Sequence, residues 1–359
     1  MMRFVRSVFV LFCLTIVPIH QIYALSPQIQ GMNFIAQVNE HANDKYSALW
    51  GYTAPDGREY AILGVRTGTA IIDITDNNNV KEVAFIKSVR SLWREMKTYS
   101  HYAYVVTDNA DTGIEIIDLA QLPSSATLVS VYKDLPMSHT ITIDEPRKLM
   151  YLMGGSGETV VILSLEDPLK PKEIARFGSS YVHDAYIKNG RAYLSEIMSQ
   201  TFSIWDIADT ANPKFLKRVR DKDAPAVSFH NSWTTEDEHY LVTTEETQDR
   251  TVKIWDISDL NAIKVIAEWL PPNRLAHNVQ IKGNYAYFSS YGGGIRILDL
   301  SNPLHPNEVA FWTRSEEVEK GFVGMWACYP FFKSGKVIGS DIENGLIVVD
   351  FEGAREAVR

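Results

Sequence analysis

Ile71-Ile72-Asp73-Ile74, Ile116-Ile117-Asp118-Leu119, Ile162-Leu163-Ser164-Leu165, Ile204-Trp205-Asp206-Ile207, Ile254-Trp255-Asp256-Ile257, Ile297-Leu298-Asp299-Leu300 and Val348-Val349-Asp350-Phe351 are seven copies of one pattern, recurring every 42 to 51 residues. Each is a short apolar run closed by an acidic or polar residue and a further apolar one. A period in this range, built from β-branched and aromatic residues, is that of a β-propeller in which each repeat is one four-stranded blade. The reading is therefore all-β, with seven blades.

The rest of each repeat fits. A second strand precedes the run, as in Ala103-Tyr104-Val105-Val106, Ala192-Tyr193-Leu194 and Ala286-Tyr287-Phe288. Gly68, Gly113, Gly157, Gly294 and Gly345 fall just before the run, where a tight hairpin needs positive φ. A loop rich in Asp, Asn and Pro follows, such as Ser301-Asn302-Pro303, and then a further strand: Val83-Ala84-Phe85, Ile174-Ala175-Arg176-Phe177, Ile266-Ala267-Glu268-Trp269, Val309-Ala310-Phe311-Trp312. The seventh repeat stops at Phe351 without that last strand, and Asn33-Phe34-Ile35-Ala36-Gln37-Val38 near the start has the missing pattern. An N-terminal strand completing the last blade is expected to close the ring and remove an exposed sheet edge.

Residues 1–24 are excluded from the propeller, which is assigned to 25–359 as one domain. Arg3 and Arg6 precede an apolar stretch from Val8 to Ile19, and Ile22-Tyr23-Ala24 suits a cleavage site, the pattern of a secretory signal peptide. The stretch is too short for a comfortable span of about 20 residues, and no later segment is a candidate. The mature chain would keep one cysteine, Cys328, because Cys13 leaves with the signal. The protein is then exported, periplasmic or extracellular, and stabilised by its core without an internal disulfide.

The chain carries 35 Lys and Arg against 44 Asp and Glu, a net charge of −9, and has no basic cluster interleaved with aromatics, so nucleic acid is excluded as a partner. The acidic residues are scattered, as on a solvated surface, and a monomer is expected.

Histidine is the informative residue. Ser138-His139-Thr140, Val182-His183-Asp184, Phe229-His230-Asn231 and Ala276-His277-Asn278 begin four successive repeats at spacings of 44, 47 and 47, and the chain has only nine histidines. The position precedes the innermost strand, so four imidazoles should gather near the axis. His139, His183, His230 and His277 are one candidate set for a transition metal, iron, zinc, copper or nickel, because imidazole nitrogen suits those ions better than calcium or magnesium. Asp184, Asn231 and Asn278 would then orient the rings. The alternative is architectural: each ring hydrogen-bonds its own or the next blade and holds the blades in register. In the other three repeats Ser47, Arg94-Glu95 and Trp326-Ala327-Cys328 take the histidine's place. Arg94 suits an anionic ligand, and with Glu95 and Trp326 it would complete a lopsided pocket at the channel mouth. Trp50, Trp93, Trp233 and Trp326 are read first as packing between blades, and Cys328 as inert core.

Leu346-Ile347-Val348-Val349-Asp350 resembles the name-giving motif of LVIVD-repeat proteins. Longer stretches, Trp50-Gly51-Tyr52-Thr53-Ala54-Pro55-Asp56-Gly57, Ser91-Leu92-Trp93-Arg94-Glu95-Met96-Lys97, His230-Asn231-Ser232-Trp233 and Ser340-Asp341-Ile342-Glu343-Asn344-Gly345, resemble the choice-of-anchor B family of secreted bacterial proteins. That resemblance implies a secreted propeller and names no activity. Two functions follow as expectations. One is a binding or scaffold module with a small-molecule or protein ligand at the axial mouth. The other is a metal-dependent enzyme, oxygenase- or hydrolase-like, with its metal on the histidines.

The export reading has a direct check. N-terminal sequencing of protein recovered from an exported fraction is expected to begin near Leu25; an intact Met1 recovered from the cytoplasm would overturn it.

Overall fold

The computed structural model describes residues 27–356 apart from 109–110, 156, 158, 222–228 and 317–318, so the segment 1–24 read from the sequence as a signal peptide lies outside the described residues. Seven antiparallel sheets form seven blades. Their innermost strands are Tyr46–Thr53, Arg94–Tyr99, Thr140–Asp144, Asp184–Lys188, Phe229–Thr234, Asn278–Lys282 and Met325–Tyr329, in blades one to seven. Each touches the next in order, and that of blade seven touches that of blade one, which closes the ring around a channel. No helix among the described residues is long and apolar enough to cross a membrane.

The apolar runs are the third strand of every blade, and the structure explains their final residue. The side chain of Asp73, Asp118, Ser164, Asp206, Asp256 or Asp299 accepts a hydrogen bond from the backbone N–H two residues on, turning the chain away from the sheet. An aliphatic could not supply that acceptor, so a polar residue punctuates the run.

The outer strand carries a second regularity. Opposite Ile71/Ile72 the partners are Ala84 and Glu82, leaving Val83 as the extra residue of a β-bulge. The same slip leaves Ile174, Leu216, Ile266 and Val309 unopposed in blades three to six, Val129 in blade two and Ile35 in blade seven. In five of the seven the next residue is alanine, which stands opposite the aliphatic core of the third strand. A bulge sharpens the right-handed twist, and a repeated one lets each blade turn strongly from axis to rim.

Ring closure is as expected: Asn33–Val38 pairs with Gly345–Asp350, from Asn33 opposite Asp350 to Val38 opposite Leu346. Gly345 has φ +78°, and a Cβ there would lie 2.2 Å from the Val38 carbonyl oxygen, so this turn needs glycine for both reasons. Positive φ also holds at Gly113, Gly157 and Gly294 but not at Gly68, where the constraint is instead close approach, with a Cβ 2.3 Å from the Ile86 carbonyl oxygen. The sequence does not announce the short strand Gln28–Gln30, which adds a fifth strand to blade six along Asn307–Thr313.

The two N-terminal strands differ in burden, because one caps a complete sheet and the other completes an incomplete one. Truncation to residue 32 is expected to shift the melting temperature little, whereas truncation to residue 39 should cost several kcal/mol by stripping the outer edge of blade seven. Equal melting temperatures for the two truncations, measured by calorimetry, would show that the ring does not depend on this closure.

Candidate functional site in the axial channel

Four of the seven residues at the entry of the innermost strands make one repeated contact with the equivalent position of the next blade. His183 Nδ1 lies 3.1 Å from the carbonyl oxygen of His230, His230 Nδ1 lies 3.1 Å from that of His277, and His277 Nδ1 lies 2.5 Å from that of Trp326. Ser47 Oγ likewise donates to the Arg94 carbonyl at 3.2 Å. The bonds pair the equivalent positions of successive blades, so the geometry supports the alignment of Ser47, Arg94 and Trp326 with the histidines. Successive imidazoles overlap like stair treads, with ring centroids 4.3, 4.2 and 4.5 Å apart from His139 to His277. His139 differs, its Nδ1 meeting Asp108 Oδ2 at 2.9 Å.

A carbonyl oxygen can only accept, so Nδ1 of His183, His230 and His277 carries the proton and a neutral ring leaves its Nε2 lone pair free. Burial keeps these rings neutral. The pKa of His230 and of His277 is pushed down to about 3, and that of His183 falls well below its ordinary value.

Glu246, which the sequence reading passed over, faces this stack. It follows the second strand of blade five, Tyr240–Glu245, and its carboxylate oxygens lie 3.5 Å from His230 Nε2 and 3.6 Å from His277 Nε2. The Tyr291 hydroxyl donates to its Oε1. Asp108 has the corresponding place after Tyr102–Thr107 in blade two, so a carboxylate ending the second strand was the signal available. One ligand atom each from His230, Glu246 and His277 lie within 4.8 Å of one another, and among the described residues no other group of three or more His, Cys, Asp or Glu does so. Of the four histidines expected from the sequence, His230 and His277 belong to this group, while His139 and His183 continue the row of rings beside it.

The histidines line part of an axial cavity of about 290 Å³. On its walls Asn231 Nδ2 donates to Asp184 Oδ2 at 2.7 Å, and Lys97 Nζ donates to Glu95 Oε1 at 2.5 Å while lying 4.2 Å from the Trp50 ring centre. Burial raises the pKa of both Glu95 and Asp184. Asp184 and Asn231 do not orient the imidazoles, as expected from the sequence, because the backbone carbonyls do; they bond each other and line the cavity. Asn278 also lines it, and Trp326 packs on the His277 ring at 5.1 Å.

Arg94 also lines the cavity, and its guanidinium, in a residue only 1% exposed, donates to Glu115, Ser88 and the Val65 and Val89 carbonyls, which satisfies it at the junction of blades one and two. Trp50, Trp233 and Trp326 pack against the apolar clusters, in line with the packing role expected of them, and together with Trp93 they also line the cavity. Phe331 bridges Trp50 of blade one at 6.3 Å and Trp233 of blade five at 5.7 Å, and Trp233 meets Tyr186 at 4.2 Å, so aromatic rings reach across the axis and form a floor. The channel is thus a cup. Cys328 lies in its wall as buried core, its thiol pKa pushed up to about 12, in keeping with an inert residue.

Because His183 is neutral in the folded protein and titrates near 6.5 when unfolded, the unfolded chain binds the extra proton and stability falls as pH drops below 6.5. Urea denaturation of EDTA-treated protein should show His183→Asn losing less stability than the parent between pH 7.5 and 5.5, by roughly 1 kcal/mol per pH unit below the unfolded value. Parallel curves for the two proteins would mean that His183 is not held neutral.

Compared with known proteins, residues 273–313, which contain the four consecutive strands of blade six, match the family model of the LVIVD repeat. No curated protein matches the chain. The structure and this match together make the chain a seven-bladed β-propeller that carries the LVIVD repeat.

Proposed function

We propose that this protein is a ligand-binding propeller, exported from the cell in which it is made, that takes a small polar molecule into its axial cup. The observation that carries the reading is a pair of orphaned acceptors. Asn278 Oδ1 and Gln280 Oε1 are buried, have no hydrogen-bond partner within the protein, and belong to residues two apart on one innermost strand that line the cavity. A buried amide oxygen left unpaired costs about 1–3 kcal/mol, a cost that a donor in the cavity removes once the side chain turns its oxygen toward it. Asp184 and Glu95 add acceptors on the facing walls, and the aromatic floor offers an apolar surface. The matching ligand bears hydroxyl or amine donors along one edge and an apolar face on the other. The export part of the reading is supported by Arg3, Arg6 and the apolar stretch after them.

Replacing the orphan separates fold from function. Gln280→Leu should keep or raise the melting temperature, since an unpaired polar atom is removed, while weakening ligand binding. Trp50, Trp233 and Trp326 line the cup, so tryptophan fluorescence during titration with a panel of polyols and amines reports occupancy. A Gln280→Leu protein destabilised by more than about 2 kcal/mol, with no compound perturbing the parent's fluorescence, would show Gln280 to be a structural strut and the cup reading to be wrong.

A further inference from the structure

The arrangement of Glu246 between His230 and His277 is unusual in what it lacks. Both imidazoles spend their only N–H on a backbone carbonyl, through Nδ1. Each therefore presents a lone pair at Nε2, and what it meets at 3.5 and 3.6 Å is a carboxylate, which also has only lone pairs. Three acceptors converge with no proton of their own to share. Protonating a ring would put a full charge on a side chain only 3% exposed at His230 or 5% at His277. Repulsion of this kind is relieved by a cation held by all three.

We propose that His230 Nε2, His277 Nε2 and a Glu246 carboxylate oxygen form a site for one divalent first-row transition ion, with an open coordination position at the mouth of the cup. Two nitrogens and one carboxylate with a vacancy is a donor set that suits zinc and ferrous iron and disfavours calcium and magnesium. The spacing is of the right order: tetrahedral bonds of about 2.0–2.1 Å set ligand atoms roughly 3.3–3.4 Å apart, each imidazole Nε2 has one Glu246 oxygen near that distance, Oε2 for His230 and Oε1 for His277, and one ligand atom of each residue lies within 4.8 Å of the others. The supporting contacts are of the kind that holds metal ligands in place. Each histidine is fixed in tautomer and direction by a carbonyl of the next blade, and Glu246 is oriented by the Tyr291 hydroxyl. The His277 carbonyl that receives His230 also accepts from Thr244 Oγ1 at 2.6 Å, which anchors the acceptor itself. An ion here would present its open position to whatever occupies the cup, as a Lewis acid or an anchoring point.

The test uses the full exported chain, stripped with EDTA, dialysed, and titrated separately with zinc chloride, cobalt chloride and, without oxygen, ferrous sulfate. One equivalent of at least one ion is expected to bind, read by elemental analysis after gel filtration and by a rise in melting temperature. Glu246→Gln and His277→Asn should each lower the affinity by about 100-fold or more, and Tyr291→Phe by about 10-fold, while His139→Asn changes it by less than a factor of about 3. Glu246→Gln preserves shape and supplies an N–H to an imidazole lone pair. In a purely hydrogen-bonded cluster it would leave the fold intact with no metal to lose. Absence of stoichiometric binding by all three ions, or binding that survives Glu246→Gln unchanged, would overturn the assignment. Gln280→Leu should leave metal binding intact, so failure of the cup reading and failure of the metal site are separately visible.

Discussion

One hydrogen bond, from a side chain at the entry of an innermost strand to the backbone carbonyl at the same place in the next blade, does most to organise the axis of this protein. Much of the remaining contact between neighbouring blades is apolar packing, which fixes distance better than register, beside scattered polar bridges such as Asn231 to Asp184 and Thr140 to the His183 carbonyl. The imidazole-to-carbonyl bonds of His183, His230 and His277, and the hydroxyl-to-carbonyl bond of Ser47, set each blade's height relative to its neighbour. They also satisfy carbonyls at strand ends that lie near the buried axis, where water could not do so freely.

The same bond has a chemical consequence. Committing Nδ1–H to the backbone leaves Nε2 as an acceptor, so an architectural device and a set of aligned lone pairs are one arrangement. The two readings of the histidine repeat, strut and ligand, are therefore not exclusive. All four rings belong to the stack, and two of them are placed by it opposite Glu246.

The cup follows from a different asymmetry. Were every innermost strand alike, the channel would run through the ring. Blade seven instead sends Phe331 across the axis, where it meets Trp50 and Trp233, and the rings close one end. Polar side chains are then confined to a space with one mouth, walled by Asp184, Asn231, Asn278, Gln280 and Glu95. Low effective dielectric there strengthens each polar contact and makes each unpaired acceptor costly.

Sequence alone determined the blade count, the run-ending Asp, the closing strand and the repeat position of the histidines, because each rests on a local pattern repeated at a fixed period. Periodicity averages over local ambiguity: one Ile-Ile-Asp says little, whereas seven at 42 to 51 residues leave few alternatives. Arg94, Glu246 and the tryptophans were beyond its reach, since their roles depend on which residue, distant in sequence and often on a different blade, stands opposite. Arg94 occupies a histidine position yet turns to Glu115, because a long cationic side chain entering a buried wedge must find a carboxylate and carbonyls there. Glu246 joins His277 only because adjacent blades bring the end of one second strand beside the start of the next innermost strand. Phe331 reaches Trp50 only because the ring closes. Those pairings join residues from 21 to 281 positions apart, and only tertiary structure, by packing seven sheets around one axis, decides them.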